Sequence, residues 1–348
     1  MSRPAADQRG PTLPSAMACQ LGRMAPMFCM ILPKLVRTCC LGAGWDVTPG
    51  QRSGSMHELL ERMCEMADRH AKEARSPTSI PGLTLYNIRK SIHVMHVLYN
   101  PRICIILRGS KTVSLGDAPF HADAATFLLV TVDIPVASRV FVAGDGRSYL
   151  SLTLDLDRGV LAEIMQKHPL RPMPAMPPAG LAASPMTDEL LEPFGRLLNS
   201  LDRPDEIEFL RPLIVREIHY RLLRSGLADA LVQFVMSGSH LWRVGKATSW
   251  IKAHYNEPMS IDGLAELAGM SVTSFHRHFK AVTLMTPFQY RTQVRLQEAR
   301  RMLLSDHATT GTVGVAVGYD SQSQFSREYK RMFGAPPATD AARLMGAA

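Results

Sequence analysis

The spacing of hydrophobic side chains changes repeatedly along this chain, and each change predicts an element. From Ser55 to Lys72, Leu59, Leu60, Met63 and Met66 gather opposite Glu58, Glu61, Arg62 and Glu65, which predicts an amphipathic helix ended by Ser76-Pro77. Between Gly82 and Leu156 the period falls to that of strands. These are expected over Leu83–Ile88, Val94–Leu98, Ile103–Arg108, Lys111–Leu115, Thr126–Val132, Ser138–Val142 and Tyr149–Asp155. Gly109-Ser110 reads as a hairpin turn, and Gly116-Asp117-Ala118-Pro119 and Gly144-Asp145-Gly146 as further turns. Many short strands at close spacing predict a barrel or a double-sheet roll. Helical spacing returns over Asp157–His168, then Pro169, Pro172, Pro174, Pro177 and Pro178 set a stiff crossing. Two helical runs fill Met186–Leu223, the second starting at Ile207, and Leu210, Leu213, Ile214 and Ile218 give it an apolar face. That face suits packing on the roll or a homodimer surface. Residues 227–239 read as a domain junction, and Leu241–His254 as a helix that buries Trp242, Trp250 and Ile251.

Beyond Ile261 the pattern becomes one of short helices joined by tight turns. Leu264, Ala265, Leu267 and Ala268, then Val272, Phe275 and Phe279, form two short helical segments separated by Gly269-Met270-Ser271, a glycine stop followed by a serine start. Two short helices around a tight turn describe a helix-turn-helix. Thr273, His276, Arg277 and Lys280 face away from the buried Phe275 and Phe279. From Thr310 the arrangement recurs: Val313, Gly314 and Val317, a stop at Gly318-Tyr319, a start at Asp320 or Ser321, and Phe325 and Tyr329 one turn apart. A proline stop follows each copy, at Thr286-Pro287 and at Ala335-Pro336-Pro337.

The runs GMS…FHRHFK, the Thr286–Leu303 segment and VGY.S.SQFSREYKR.FGAPP over Val317–Pro337 resemble the DNA-binding domain of AraC-type transcriptional regulators. The stretch from Pro81 to Val136 resembles the cupin-like N-terminal domain of one subfamily of these regulators. The resemblance implies an α+β chain: a cupin-like β-roll with flanking helices, then an all-α domain with two helix-turn-helix units bridged by a helix from Pro287 to Leu304. With residues 1–54 set apart as a leader on their composition, it implies a sensor and dimerisation domain at 55–235 and a DNA-binding domain at 236–348. Matched position by position, it assigns base contacts to Thr273, His276, Arg277, Gln322, Ser323, Gln324 and Arg327. The chemistry agrees, since Arg reads guanine, Gln reads adenine and Thr touches a thymine methyl. Ser271, Lys280, Ser321 and Lys330 are expected at the DNA backbone, the serines also as helix caps. Two positions depart from the family pattern. Leu284 stands where glycine usually follows the first recognition helix, and Gly311 and Gly314 stand where alanine is typical. The expectation is that replacing both glycines by alanine tightens DNA binding.

A chain of 348 residues, 20% charged and 46% hydrophobic, suits a protein of two domains. Its net charge of +8 and isoelectric point near 9.3 favour a polyanionic partner. The first residues to about 54 are rich in Pro, Gly and Met without sustained periodicity, and read as a disordered leader or as sequence upstream of a start at Met56. They hold Cys19, Cys29, Cys39 and Cys40, which lack paired zinc spacing. The patch Met27–Leu32 is too short to span a bilayer, so a cytoplasmic protein with no membrane partner is expected. A cupin resemblance raises His93, His96 and His121 with Asp117 or Asp123 as metal ligands. His93 and His96, an odd step apart, would face opposite sides of a strand, so they read as surface or turn histidines. Cys104 reads as a small buried hydrophobe, with redox sensing as its sharper alternative. No cofactor and no catalytic constellation is expected.

The leading reading is a regulator of transcription, an activator by preference, with promoter DNA, an unidentified small-molecule effector, RNA polymerase and a second copy of itself as partners. A cupin-type metal-binding enzyme fused to a DNA-binding domain is the alternative, and a ligand-free architectural DNA binder the third.

Overall fold

In a computed structural model, the protein is described over residues 54–168, 178–305 and 309–345. The expected leader, up to Ser53 and with Cys19, Cys29, Cys39 and Cys40, lies outside the described residues, as do Pro169, Pro172, Pro174 and Pro177 of the proline-rich crossing.

The first helix, α1 (Gly54–His70), buries Met63 and Ala67 completely and rests on the roll and a later helix. The roll follows: β1 (Arg75–Pro77), β2 (Leu83–Ile88), β3 (Ile92–Tyr99), β4 (Arg102–Arg108), β5 (Ser110–Leu115), β6 (Ala118–Ala122), β7 (Thr126–Val130), β8 (Ile134–Phe141), β9 (Tyr149–Asp155) and, further on, β10 (Leu181–Pro185). Among the described residues these strands form two antiparallel sheets, ordered β1-β2-β9-β4-β7-β10 and β3-β8-β5-β6. The double-sheet roll is therefore observed. The hairpin expected at Gly109-Ser110 is not one, because β4 and β5 belong to different sheets. Gly109, at φ 80°, carries the chain around the corner, and a Cβ there would stand 2.5 Å from the Phe141 carbonyl oxygen. Gly116-Asp117 does close a hairpin, with Leu115 opposite Ala118.

Helix α2 (Arg158–Lys167) starts on the Asp157 carboxylate, which accepts the Val160 N–H at 3.1 Å. Helices α3 (Asp188–Asn199) and α4 (Ile207–Leu222) pack on each other beside the roll. The buried His219 ring ties α4 to the start of α2: Nε2 accepts the Asp157 N–H at 2.9 Å and Nδ1 faces the Val215 carbonyl at 2.7 Å. The stretch expected as a bare junction contains α5 (Ala228–Val235), whose Leu231 and Val232 are buried. Its apolar run suits a helix, and the tight Gly238 turn at φ 87° comes only after it. Helix α6 (His240–Ala253) buries Ile251 as expected, but Trp242 and Trp250 are only half-buried. Each indole instead has a polar neighbour, Lys246 over Trp242 and His254 stacked on Trp250 at 4.6 Å.

The remaining helices are α7 (Ile261–Leu267), α8 (Val272–Thr283), α9 (Pro287–Ser305), α10 (Thr310–Ala316), α11 (Gln322–Phe333) and α12 (Pro337–Met345). Pro287 and Pro337 stop nothing: each opens the next helix, where a missing N–H costs no hydrogen bond. Thr286 and Gln289 cap each other reciprocally at the start of α9. Tyr290 and Val294 of α9 belong to the large core shared with the roll, while Leu296, Ala299 and Leu303 belong to a second core with Val313, Phe325 and Tyr329. One helix thus serves both helix-turn-helix units.

Candidate nucleic-acid interface

Each unit is built on a glycine in the left-handed region, Gly269 at φ 62° and Gly318 at φ 87°. At Gly318 a Cβ would stand 2.5 Å from the Asn256 carbonyl oxygen, so the second turn admits no side chain. The following serines are caps: Ser271 Oγ accepts the Ser274 N–H and Ser321 Oγ the Gln324 N–H, both at 3.3 Å. Phe275 and Phe279 are fully buried on α8, as are Phe325 and Tyr329 on α11, and the ring pairs are 5.4 and 5.7 Å apart. Burying one stripe leaves the opposite side to solvent. There Thr273, His276, Arg277 and Lys280 of α8 are exposed, and Gln322, Ser323, Gln324, Arg327 and Lys330 of α11 likewise. Ser271 and Ser321 are exposed at the two N-termini.

The side chains are not all unengaged. Arg277 Nη2 stands 3.3 Å from His278 Nε2, and Gln324 donates to the Glu328 carboxylate at 3.1 Å, which also accepts the Tyr319 hydroxyl at 2.7 Å. His278 is buried with its Nδ1 unpartnered, and its ring stacks at 3.7 Å on His240 of α6. Desolvation, then the neighbouring His240 and Arg277, push the His278 pKa below the ordinary histidine value. In the sequence His278 is hidden beside the exposed Arg277; its place three residues after the buried Phe275, on the same helix face, is the available signal.

Leu284 adopts the left-handed conformation, φ 55° and ψ 19°, and its N–H closes α8 on the Lys280 carbonyl at 2.9 Å. Of the two glycines in α10, Gly311 is open, whereas a Cβ at Gly314 would meet Phe325 Cδ1 at 3.1 Å and Gln322 Oε1 at 3.0 Å. Alanine is therefore free to fit at Gly311, whereas at Gly314 it requires Phe325 to give by a few tenths of an ångström. Glycine there lets α10 and α11 approach.

In the roll, His93 and His121 are exposed, and among the described residues no three metal-ligating side chains come together. His96 is not a surface histidine: it is half-buried, lines a cavity and meets the ring of Phe333 edge-on at 5.2 Å, with its pKa lowered by desolvation. Cys104 is buried, as its small-hydrophobe reading expects, and burial pushes its thiol pKa up, against a reactive thiolate. Lys111 was missed. The alternation Lys111, Val113, Leu115 already put it on the inward face of β5, and it is buried there.

Residues 79–230 match the family model of the AraC-type transcriptional regulator N-terminus, and residues 264–343 that of a helix-turn-helix domain. The chain belongs to the AraC-type transcriptional regulators. It is 31% identical over 101 residues to the HTH-type transcriptional activator RhaS of Pectobacterium atrosepticum, covering 29% of this chain and 36% of that one. With RhaS of Pectobacterium carotovorum it shares 27% identity over 140 residues, 40% of this chain and 50% of the relative. The chain thus spans half or less of the length of these curated relatives. A crystal structure of an apo variant of ToxT from Vibrio cholerae superposes with a TM-score of 0.50 at 9% identity, covering 78% of this chain and 97% of that one, a likeness of fold. No helix among the described residues is long and apolar enough to cross a membrane.

Proposed function

We propose that the protein is a sequence-specific DNA-binding regulator of transcription, an activator that answers to a small molecule held in its roll. What supports this best is the pair of recognition helices, α8 and α11, each with one face buried and the other carrying exposed Arg, Lys, Gln and hydroxyl groups. Thr273, His276, Arg277, Gln322, Ser323, Gln324 and Arg327 read base edges. Ser271, Lys280, Ser321 and Lys330 hold phosphates, helped by the N-terminal ends of the two helices. The relatives' name as activators favours that sign of regulation, and RNA polymerase is then the partner at the promoter.

The apolar residues Phe209 and Leu213 on the outer side of α4 are 76% and 58% exposed, and Tyr220 follows on the same side. A second copy covering this face would make a two-fold dimer suited to paired half-sites. Sedimentation that finds only monomer at the concentration of DNA binding would remove that part.

The test of the reading is Arg277→Ala. It should weaken binding to the selected DNA site by about 1–3 kcal/mol and flatten the preference at one base pair. Equal losses on the selected site and on random duplex would reduce Arg277 to a phosphate contact.

A further inference from the structure

A cavity of about 1470 Å³ opens between the roll and the DNA-binding helices. Its walls include Tyr99, Cys104, Lys111 and Tyr149 from the roll, and Val294 and Gln297 from α9. Leu98, Leu128, Val130 and Val140 make part of its wall apolar, Ser151 and Thr153 lie among them, and exposed charged side chains such as Arg75, Lys252 and Arg301 also line it. Among the charged groups of this lining Lys111 is the buried one. It is 8% exposed, its ammonium stands 5.1 Å from the centre of the Tyr99 ring, and its charged and polar surroundings are Tyr99, Tyr149 and Cys104 with no carboxylate. Burial works against its charge, yet these neighbours tip the balance and hold its pKa above the ordinary lysine value. A ring face returns only part of the hydration an ammonium gives up. Two neighbouring donors are unused as well: the hydroxyls of Tyr99 and Tyr149 are buried without a hydrogen-bond partner. Both polar atoms of the Gln297 side chain are in the same condition on the opposite wall. Polar groups that face a cavity without a partner in the chain are free to pair with a bound molecule.

We propose that this cavity binds a monoanionic organic acid with an apolar body, its carboxylate taken by Lys111 and the Tyr99 and Tyr149 hydroxyls, with Gln297 hydrogen-bonding further along the ligand. The inference rests on the reading of the roll as a sensor and names the chemical class it senses. One buried cation with two neutral donors matches a single negative charge. A phosphate dianion would need a second cation beside Lys111, and Arg102 on the same wall is already paired with Asp155 at 3.6 Å. Leu128, Val130 and Val140 line the cavity around these groups and suit an alkyl or aryl body. Because Gln297 belongs to the helix shared by both helix-turn-helix units, an occupant touches sensor and reader together.

The experiment measures the melting of the full chain with octanoate or cinnamate, set against octanol or cinnamyl alcohol. DNA affinity is followed in the same samples. At an acid concentration about ten times its dissociation constant, the melting temperature should rise by about 3 °C, and the alcohols at equal concentration should do far less. Lys111→Met keeps the volume and removes the charge. It should melt above the unmodified protein without ligand, since a buried unpaired ammonium is gone, and bind the acids at least about tenfold more weakly. Alcohols that stabilise as well as the acids, a Lys111→Met variant that responds like the parent, or no stabilisation by either acid would overturn the proposal. If the acids bind through Lys111 and DNA affinity does not move, the site stands and the sensor reading falls.

Discussion

Gly311 and Gly314 lie three residues apart on α10, yet a methyl group means different things at each. At Gly311 the nearest atom to an added Cβ is Thr309 Oγ1 at 4.0 Å, so alanine there only lowers the entropy of the unfolded chain and favours helix. Gly311→Ala should stabilise the second unit by about 0.5 kcal/mol. Gly314→Ala would press on Phe325, which is fully buried in the second core, and on Gln322, a base reader in the proposed interface. It should cost about 1 kcal/mol and weaken DNA binding. A Gly314→Ala protein that melts above its parent would show that α11 yields more readily than this packing implies. The sequence could say that glycine weakens α10 but not that an aromatic ring stood over one of the two. Leu284 shows the reverse. The glycine that the family carries there implied either a left-handed residue or a different turn, and the left-handed residue is what stands there. Lys111 was equally legible, because a strand's alternation decides which side a residue faces before any partner is known.

Among elements, the interior strands and most helices were readable, α5 excepted, and of the four edge strands only β3 was. β1, β6 and β10 were missed, and each is at the margin of its sheet. Arg75–Pro77 has only three residues, β6 contains Pro119 and His121, and β10 ends on Pro185, so none shows the β-branched alternation of a strand with neighbours on both sides. The recognition helix α8 was placed correctly, but its attachment to α6 through the stacked His240 and His278 depends on a partner from another helix. That attachment responds to acid. Burial first, and nearby positive groups second, lower the pKa of both rings, so the unfolded chain takes up protons that the folded protein refuses. Stability therefore falls as pH drops through the unfolded histidine value of about 6.5, and levels off below the folded values. His96 and His219, also lowered by burial, add to the slope. Melting measured from pH about 7.5 to about 5.5 should decline, with less decline in His278→Phe, the other histidines keeping their share. An unchanged pH slope in that variant would separate His278 from the acid response.

For the molecule as a whole, the central residue is Asp133, in the short link between β7 and β8. Its carboxylate accepts Lys252 Nζ at 2.6 Å and Ser249 Oγ at 2.9 Å from α6, and its main-chain carbonyl accepts the Tyr290 hydroxyl of α9 at 2.7 Å. Close by, the Gly180 N–H donates to the Val282 carbonyl of α8 at 2.8 Å. These partners lie far apart in sequence, which is why a pattern of periods and turns gave no sign of them. Their effect is that the roll and the first helix-turn-helix unit share one hydrophobic core, while the second unit closes a smaller core of its own on the far half of α9. Such a layout predicts how the protein comes apart. The first unit should melt with the roll, since separating them exposes the buried Asp133 carbonyl and the fully buried Tyr290 ring. Tyr290→Phe leaves that carbonyl unpaired at a cost of about 1–3 kcal/mol, and Asp133→Ala removes the bonds to α6 as well. In the double variant, calorimetry should resolve a separate transition for the DNA-binding helices below that of the roll. One transition at the parent's temperature would mean that apolar packing alone joins the two, and that the polar link at Asp133 sets their orientation without contributing to their cohesion.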